Sequence, residues 1–213
     1  MYNPTQYSTQ IKSSSSYRGL VVLSIMLFVI LTSALSGYTP AWAKQEVEEH
    51  QIKAGYIYRF TLFVKWPEKD APSILSLENN KITIGILGED PFKDFFADVE
   101  GKPVPRIKKN LEIKRFGPFR QGLAFNTCHV LFISTSEQDN LSRIFASLKD
   151  VPILTVGDMD NFCDMGGIIN LVTIGERVRF EVNLSRARQI GLSISSNLLR
   201  AALRVIQADE PNP

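Results

Sequence analysis

His129-Val130-Leu131-Phe132-Ile133-Ser134 is the stretch that decides the fold. An apolar run without alternation reads as a strand buried on both faces, which is how the central strand of a parallel sheet is built. On its N-terminal side, Ile82-Thr83-Ile84-Gly85-Ile86-Leu87 is a first strand. Asp90-Pro91-Phe92 is then expected to open a helix, with Asp90 as the cap and proline in the first turn. Leu111-Glu112-Ile113-Lys114-Arg115-Phe116 is polar at alternate positions and basic, as an edge strand protected against sheet-to-sheet pairing would be. On the C-terminal side, Leu141, Ile144, Phe145 and Leu148 mark one helix face. Ile153 to Val156 is a fourth strand and Gly167 to Val172 a fifth. Arg177-Val178-Arg179-Phe180-Glu181-Val182 alternates one Gly175-containing turn later and should pair antiparallel with the fifth. Asn183 caps a helical tail that breaks at Gly191 and restarts at Ser195, with Leu199, Ala202, Leu203 and Ile206 as its packing stripe. Strands alternating with helices predict an α/β fold, a three-layer α/β/α sandwich. Its mainly parallel sheet has about six strands in the order 2-1-3-4-5-6, the last antiparallel and at the edge.

Upstream of the first strand, Lys53 to Pro67 carries the most aromatic helix pattern in the chain. Tyr56, Ile57, Phe60, Phe63 and Val64 share one helical face, and Pro67 ends the helix at about Lys65. Glu46, Glu48 and Glu49 suit the positive end of its dipole. The helix is expected to lie over the sheet as a clamp. Two readings of its aromatic end stand side by side: plain core packing, or a surface made by Arg59, Phe63, Lys65 and Trp66 that meets a partner. Residues 67–80 read as a loop.

The start of the chain carries its own signal. Lys12 and Arg18 precede an apolar run from Leu20 to Leu35, and Ala41-Trp42-Ala43 is a small-x-small cleavage site. Basic, apolar, then Ala-x-Ala is the order of a secretory signal peptide. Residues 1–43 are therefore expected to be a signal peptide cleaved after Ala43, and 44–213 one exported domain, most simply in a bacterial periplasm. The alternative is an uncleaved anchor, although the run is about 16 residues against the roughly 20 that span a bilayer comfortably. No second run is long enough to span. The whole chain has 24 Lys+Arg and 22 Asp+Glu. Losing Lys12 and Arg18 with the leader makes the remainder formally neutral, which argues against nucleic acid as a partner.

Chemistry is sparse. Gly85-Ile86-Leu87-Gly88-Glu89-Asp90 lacks the G-x-G-x-x-G spacing, and its acids would repel a phosphate. His50, His129, Cys128 and Cys163 show no metal-ligand spacing, so no metal and no cofactor is expected. Asp158 to Asp164 departs from a calcium loop where Phe162 and Cys163 stand. Neither a nucleophile elbow nor a base beside Ser134 is evident, so no catalytic residue is assigned. In an oxidising compartment Cys128 and Cys163 are a natural pair; two buried free thiols, or a bridge between molecules, are the alternatives. A small ligand would sit beyond the carboxyl ends of the strands, beside Gly88, Glu89, Asp90, Ser134 and Asp158. Arg106, Lys108, Lys109, Lys114, Arg115 and Arg120 concentrate positive charge near the second strand, read as a solvated face or a dock for an acidic partner.

Three blocks of this sequence resemble one known family. They are Lys53-Ala54-Gly55-Tyr56-Ile57-Tyr58-Arg59-Phe60 with Trp66-Pro67, then Cys128 to Ser134, then Ile153 to Asp158 running through Phe162, Gly166 to Asn170, Arg179 to Asn183 and Ser195 to Leu199. In order and spacing they resemble the YfiR/HmsC family of small periplasmic proteins. The resemblance implies an α/β/α domain without catalysis that represses an inner-membrane diguanylate cyclase by binding its periplasmic sensor region. Repression lowers cyclic di-GMP and biofilm formation. It also implies that some members dimerise, that some are captured by an outer-membrane lipoprotein, and that some respond to disulfide state. Redox-responsive members carry more cysteines than this chain.

Overall fold

Strand β4 (Val130–Ile133) is buried at every position. It hydrogen-bonds on both edges to parallel neighbours, β2 (Lys81–Leu87) and β5 (Leu154–Gly157). This is the two-sided burial its unbroken apolar run requires. The structure is a computed structural model describing Leu23, Met26 and residues 41–67, 80–92, 95–105, 107–124 and 127–207. The chain divides into two units, Met1–Gln45 and Glu46–Pro213, and the sheet belongs to the second. The expected leader lies outside the described residues, apart from Leu23, Met26 and the backbone of 41–43. Residues 68–79 and Arg106 also lie outside them. Among the described residues no helix is long and apolar enough to cross a membrane.

The remaining strands are β1 (Val64–Lys65), β3 (Asn110–Gly117), β6 (Ile169–Ile174), β7 (Arg177–Asn183), β8 (Ser193–Ile194) and β9 (Arg204–Ile206). The main sheet has seven strands in the order β3-β2-β4-β5-β6-β7-β9. Its first six places match the expected order, with β3 at an edge. β6 and β7 are antiparallel, while the other neighbours run parallel. Because successive strand residues face opposite ways, β4 feeds two cores. Phe132 shares one core with Ile57 and Phe60 of helix α1 (Ala41–Phe63) and with Val64 of β1 on one face. Leu131 and Ile133 meet Leu141 and Ile144 of helix α2 (Leu141–Ser147) on the other.

Four expectations change. The sixth strand is not at the edge, because β9 pairs in parallel beyond it, with Arg204 opposite Glu181 and Ile206 opposite Asn183. The tail breaks at Gly191 and restarts at Ser195 as expected, giving α3 (Leu184–Gln189) and α4 (Ser196–Ala201), but α4 stops at Ala201. Leu203 and Ile206 therefore do not extend a helical stripe: Leu203 is exposed and Ile206 is in β9. Adjacent β-branched Val205 and Ile206 fit a pleated edge better than a helix. Asp90 caps only a turn, its Oδ1 accepting from Phe92 N at 2.8 Å, and the described residues 95–100 are turns rather than helix. Finally, α1 ends at Phe63, since Val64 and Lys65 pair antiparallel with Ile194 and Ser193. It also starts at Ala41, so no acidic residue lies in its first turn.

Candidate functional site

Helix α1 crosses the sheet from the carboxyl ends of the strands to their amino ends and is tied at both. Lys53, Ala54, Ile57, Phe60 and Thr61 are its buried stripe, continued by Val64 just past its end. One member is charged. Lys53 Nζ lies 2.9 Å from Asp158 Oδ2, just past β5, and 2.7 Å from Glu49 Oε1 one turn back. Burial alone would pull the Lys53 pKa down, but Asp158 and Glu49 outweigh it and hold the pKa above the usual lysine value. Burial likewise opposes the charge on Glu49, yet hydrogen bonds from Lys53 and Thr173 keep its carboxyl below the ordinary range. Thr173 Oγ1 donates to Glu49 at 2.8 Å and Thr135 Oγ1 donates to Asp158 at 3.2 Å. These bonds join α1 to β6, β5 and the turn after β4. At the other end Trp66 Nε1 donates to His129 O at 3.2 Å, with its ring edge-on to the His129 imidazole.

Beside the Lys53 end lies a cleft of about 560 Å³, lined by Glu89, Asp90, Phe92, Ser134, Thr135 and Asp158, with Val47 and His50 of α1 on its far wall. Four of the five residues expected at the carboxyl ends of the strands meet there. The fifth, Gly88, stands one residue behind at φ +91°, where a Cβ would come within 2.5 Å of Ser136 Oγ. Glu89 N donates to that same hydroxyl. Asp90 is engaged by Arg115 Nε at 2.7 Å, as Asp158 is by Lys53, so most of the cleft's negative charge is already neutralised.

A second concavity, about 720 Å³, runs along the outer side of α1 against the β6–β7 hairpin and α4. Its floor is apolar, with Tyr56, Phe60, Val178, Phe180 and Leu198; Arg59 and Glu176 border it, and Arg177 and Arg179, alternating with Val178 and Phe180, are exposed on the other face of β7. Tyr56 OH donates to Val178 O at 3.4 Å, closing one side of the floor. Of the four residues expected to form a partner surface, Arg59 and Phe63 line this groove. Lys65 is exposed in β1, and Trp66 is turned toward His129, so the four do not share a face.

Cys128 and Cys163 are fully buried, and no disulfide joins them in this structure. Cys163 Sγ donates to Ile168 O at 3.6 Å, and burial pushes both thiols up to about 12. A thiol that resists ionisation is a poor nucleophile and ligand. His129 is also a structural group. Its backbone N donates to Thr83 O and its ring Nδ1 accepts from Thr83 N at 3.0 Å. Among the described residues no group of three His, Cys, Asp or Glu could hold a metal ion. The Glu49–Lys53–Asp158 network was the main feature missed by sequence reasoning. Its only trace was a Glu–Lys pair four residues apart with the lysine on the apolar stripe.

A family model described as YfiR/HmsC-like matches residues 50–203, which contain the groove and, apart from Val47, the cleft lining. Among solved structures, a conserved domain protein from Vibrio cholerae O1 biovar eltor is similar at 10% identity and a TM-score of 0.50, over 74% of this chain and 60% of that one. The ABC domain in complex with L-Trp from Streptococcus pneumonia aligns at 13% identity and a TM-score of 0.42, over 59% of this chain and 55% of that one. The chain thus spans little more than half the length of the solved structures it matches. At such identities the likeness concerns the fold alone.

Proposed function

We propose, from the premise that this chain belongs to the YfiR/HmsC-like family, that it is a periplasmic regulator acting by contact. Its target is the periplasmic sensor region of an inner-membrane diguanylate cyclase, which it represses, lowering cyclic di-GMP and biofilm formation. The reading includes export through the leader ending at Ala43. It takes a second copy of the chain and an outer-membrane lipoprotein as further partners. The observation that carries it is the family match over residues 50–203. The groove beside α1, apolar in its floor, supports action by contact. Deleting the gene should raise cyclic di-GMP, and supplying the exported protein should bring it back. Unchanged cyclic di-GMP in a strain that expresses the protein would sink the proposal.

A second reading is favoured by the 560 Å³ cleft at the carboxyl ends of the strands. Open α/β sheets bind small ligands at that position. A metabolite held between Glu89, Ser134 and Asp158 would touch the residues that tie α1 to β5. Thermal-shift screening tests it, since a ligand that binds the folded state raises its melting temperature. No shift across a broad metabolite panel would remove this reading and leave the first intact.

A further inference from the structure

Three carboxylates line the cleft at the carboxyl ends of the strands, and among the described residues no lysine or arginine does. The cations that meet these carboxylates come from outside the lining. Arg115 Nε reaches Asp90 Oδ2 at 2.7 Å from β3. Lys53 Nζ reaches Asp158 Oδ2 at 2.9 Å from the buried stripe of α1. Lys53 is shared with Glu49 at 2.7 Å, so that trio keeps one negative charge. Glu89, exposed at the cleft, takes part in no ion pair among the described residues. Hydrogen-bonding capacity is equally one-sided. Ionised carboxylates only accept, and Thr135 has spent its proton on Asp158 Oδ1, so it too can only accept. Val47, Pro91, Phe92 and Phe95 supply apolar surface beside these acceptors. Among the described residues no group of three His, Cys, Asp or Glu could hold a metal ion.

We propose that this cleft takes a small organic ammonium ion: a primary amine, protonated at neutral pH, carried on an apolar body. The proposal rests on the reading of the cleft as a ligand site and names the class of ligand. The ammonium group lies between Glu89 and Asp158, where its three N–H donors meet the surplus of acceptors. The body of the ligand covers Pro91 and Phe95. One positive charge suffices, because Asp90 and Asp158 are already engaged and Glu89 is the carboxylate left unmatched. An anion of the same shape is rejected by like charge on every carboxylate of the lining.

The test titrates the exported protein with n-hexylammonium, n-hexanol and n-hexanoate, followed by backbone amide chemical shifts. Hexylammonium should move the resonances of Glu89, Ser134, Thr135 and Asp158. It should bind about tenfold or more tightly than hexanoate, with hexanol between them. Glu89→Gln should cost hexylammonium about fivefold and leave hexanol unchanged, and Glu89→Lys should put hexanoate ahead. Both variants should melt with the wild type, since Glu89 is exposed. An ammonium ion with no advantage over hexanoate, or one that keeps its advantage in Glu89→Lys, would overturn the proposal. So would shifts confined to another part of the surface. The ligand class and the site are separable. If the broad metabolite panel yields an anionic or neutral ligand at this cleft while hexylammonium does not bind, the site stands and the ammonium class is wrong. If neither the panel nor the three probes bind, both are wrong.

Discussion

At the scale of single residues, His129 shows how a group that looks chemical can be wholly structural. The imidazole extends the backbone pairing of β4 toward β2, its Nδ1 accepting from Thr83 N at 3.0 Å while its own backbone N donates to Thr83 O. That bond requires a neutral ring. Burial first, and then the nearby Lys109, lower the pKa from 6.5 to about 4; Glu112 pulls the other way, and Lys114 adds the least. With the folded pKa below the unfolded one, the unfolded chain binds more protons between these values, so stability falls as pH falls through that window. The loss is about 3 kcal/mol at most. Urea midpoints at pH 7 and pH 4.5 should separate much less in His129→Asn than in the wild type, because Asn can accept the same bond and does not titrate. Equal separations would show that other groups carry the pH dependence. Carboxylates such as Glu49 and Glu112, held below their usual range, contribute to both proteins and drop out of the comparison.

At the scale of elements, the connection between β5 and β6 explains why a glycine-rich block stands there. Phe162 is fully buried and packs edge-on to Phe145 of α2. Its ring lies between two glycines: a Cβ on Gly157 would come within 2.6 Å of it, and one on Gly167 within 2.2 Å. The ring is rigid and walled on both sides, so Gly167→Ala cannot be absorbed by a rotamer change. It should destabilise the domain by about 2 kcal/mol or more. Phe162→Leu alone should cost about 1 to 3 kcal/mol for the cavity it leaves. In Gly167→Ala/Phe162→Leu the smaller side chain makes room for the new methyl, so the double mutant should be more stable than the sum of the single losses. Strict additivity in denaturant titrations would mean that ring and glycine do not compete for the same space. Much at this scale was legible beforehand. The unbroken run of β4, the alternation of β7 and the cap at Asn183, whose Oδ1 accepts from Arg186 N, each have a local cause. The buried Lys53 network was not legible, because it joins residues 105 positions apart. Nor was the groove, whose Tyr56 and Phe180 meet only once α1 lies across the β6–β7 hairpin.

At the scale of the whole molecule, the sheet's two ends are finished differently. The β3 edge is protected by Lys114 and Arg115, the device read from its sequence. The other end depends on β9, which no local pattern announced: three residues after a short helix are too few for a periodicity to show, and their partner strand lies more than twenty positions upstream. The family match stops at residue 203, so β9 is also where this chain goes beyond the matched region. Its Arg204 reaches Asp164 and Glu181 at 2.7 and 3.0 Å. Exposed pairs of this kind contribute little on their own, so the weight of β9 lies in its backbone pairing with Glu181, Val182 and Asn183. Without it, β7 becomes an edge strand presenting unpaired N–H and C=O groups next to the fully buried Val182. A protein ending at Leu203 should therefore lose about 2 kcal/mol from the apolar surface of Val205 and Ile206, and its exposed β7 edge should promote self-association. Sedimentation velocity over a concentration series, with urea titration of the same samples, separates the two effects. A truncated protein as stable and as monodisperse as the full chain would mean that the sheet ends at β7 in solution. A loss of stability without self-association would show that Arg179 and Arg177, exposed along that strand, guard its edge by charge as Lys114 and Arg115 guard the opposite one.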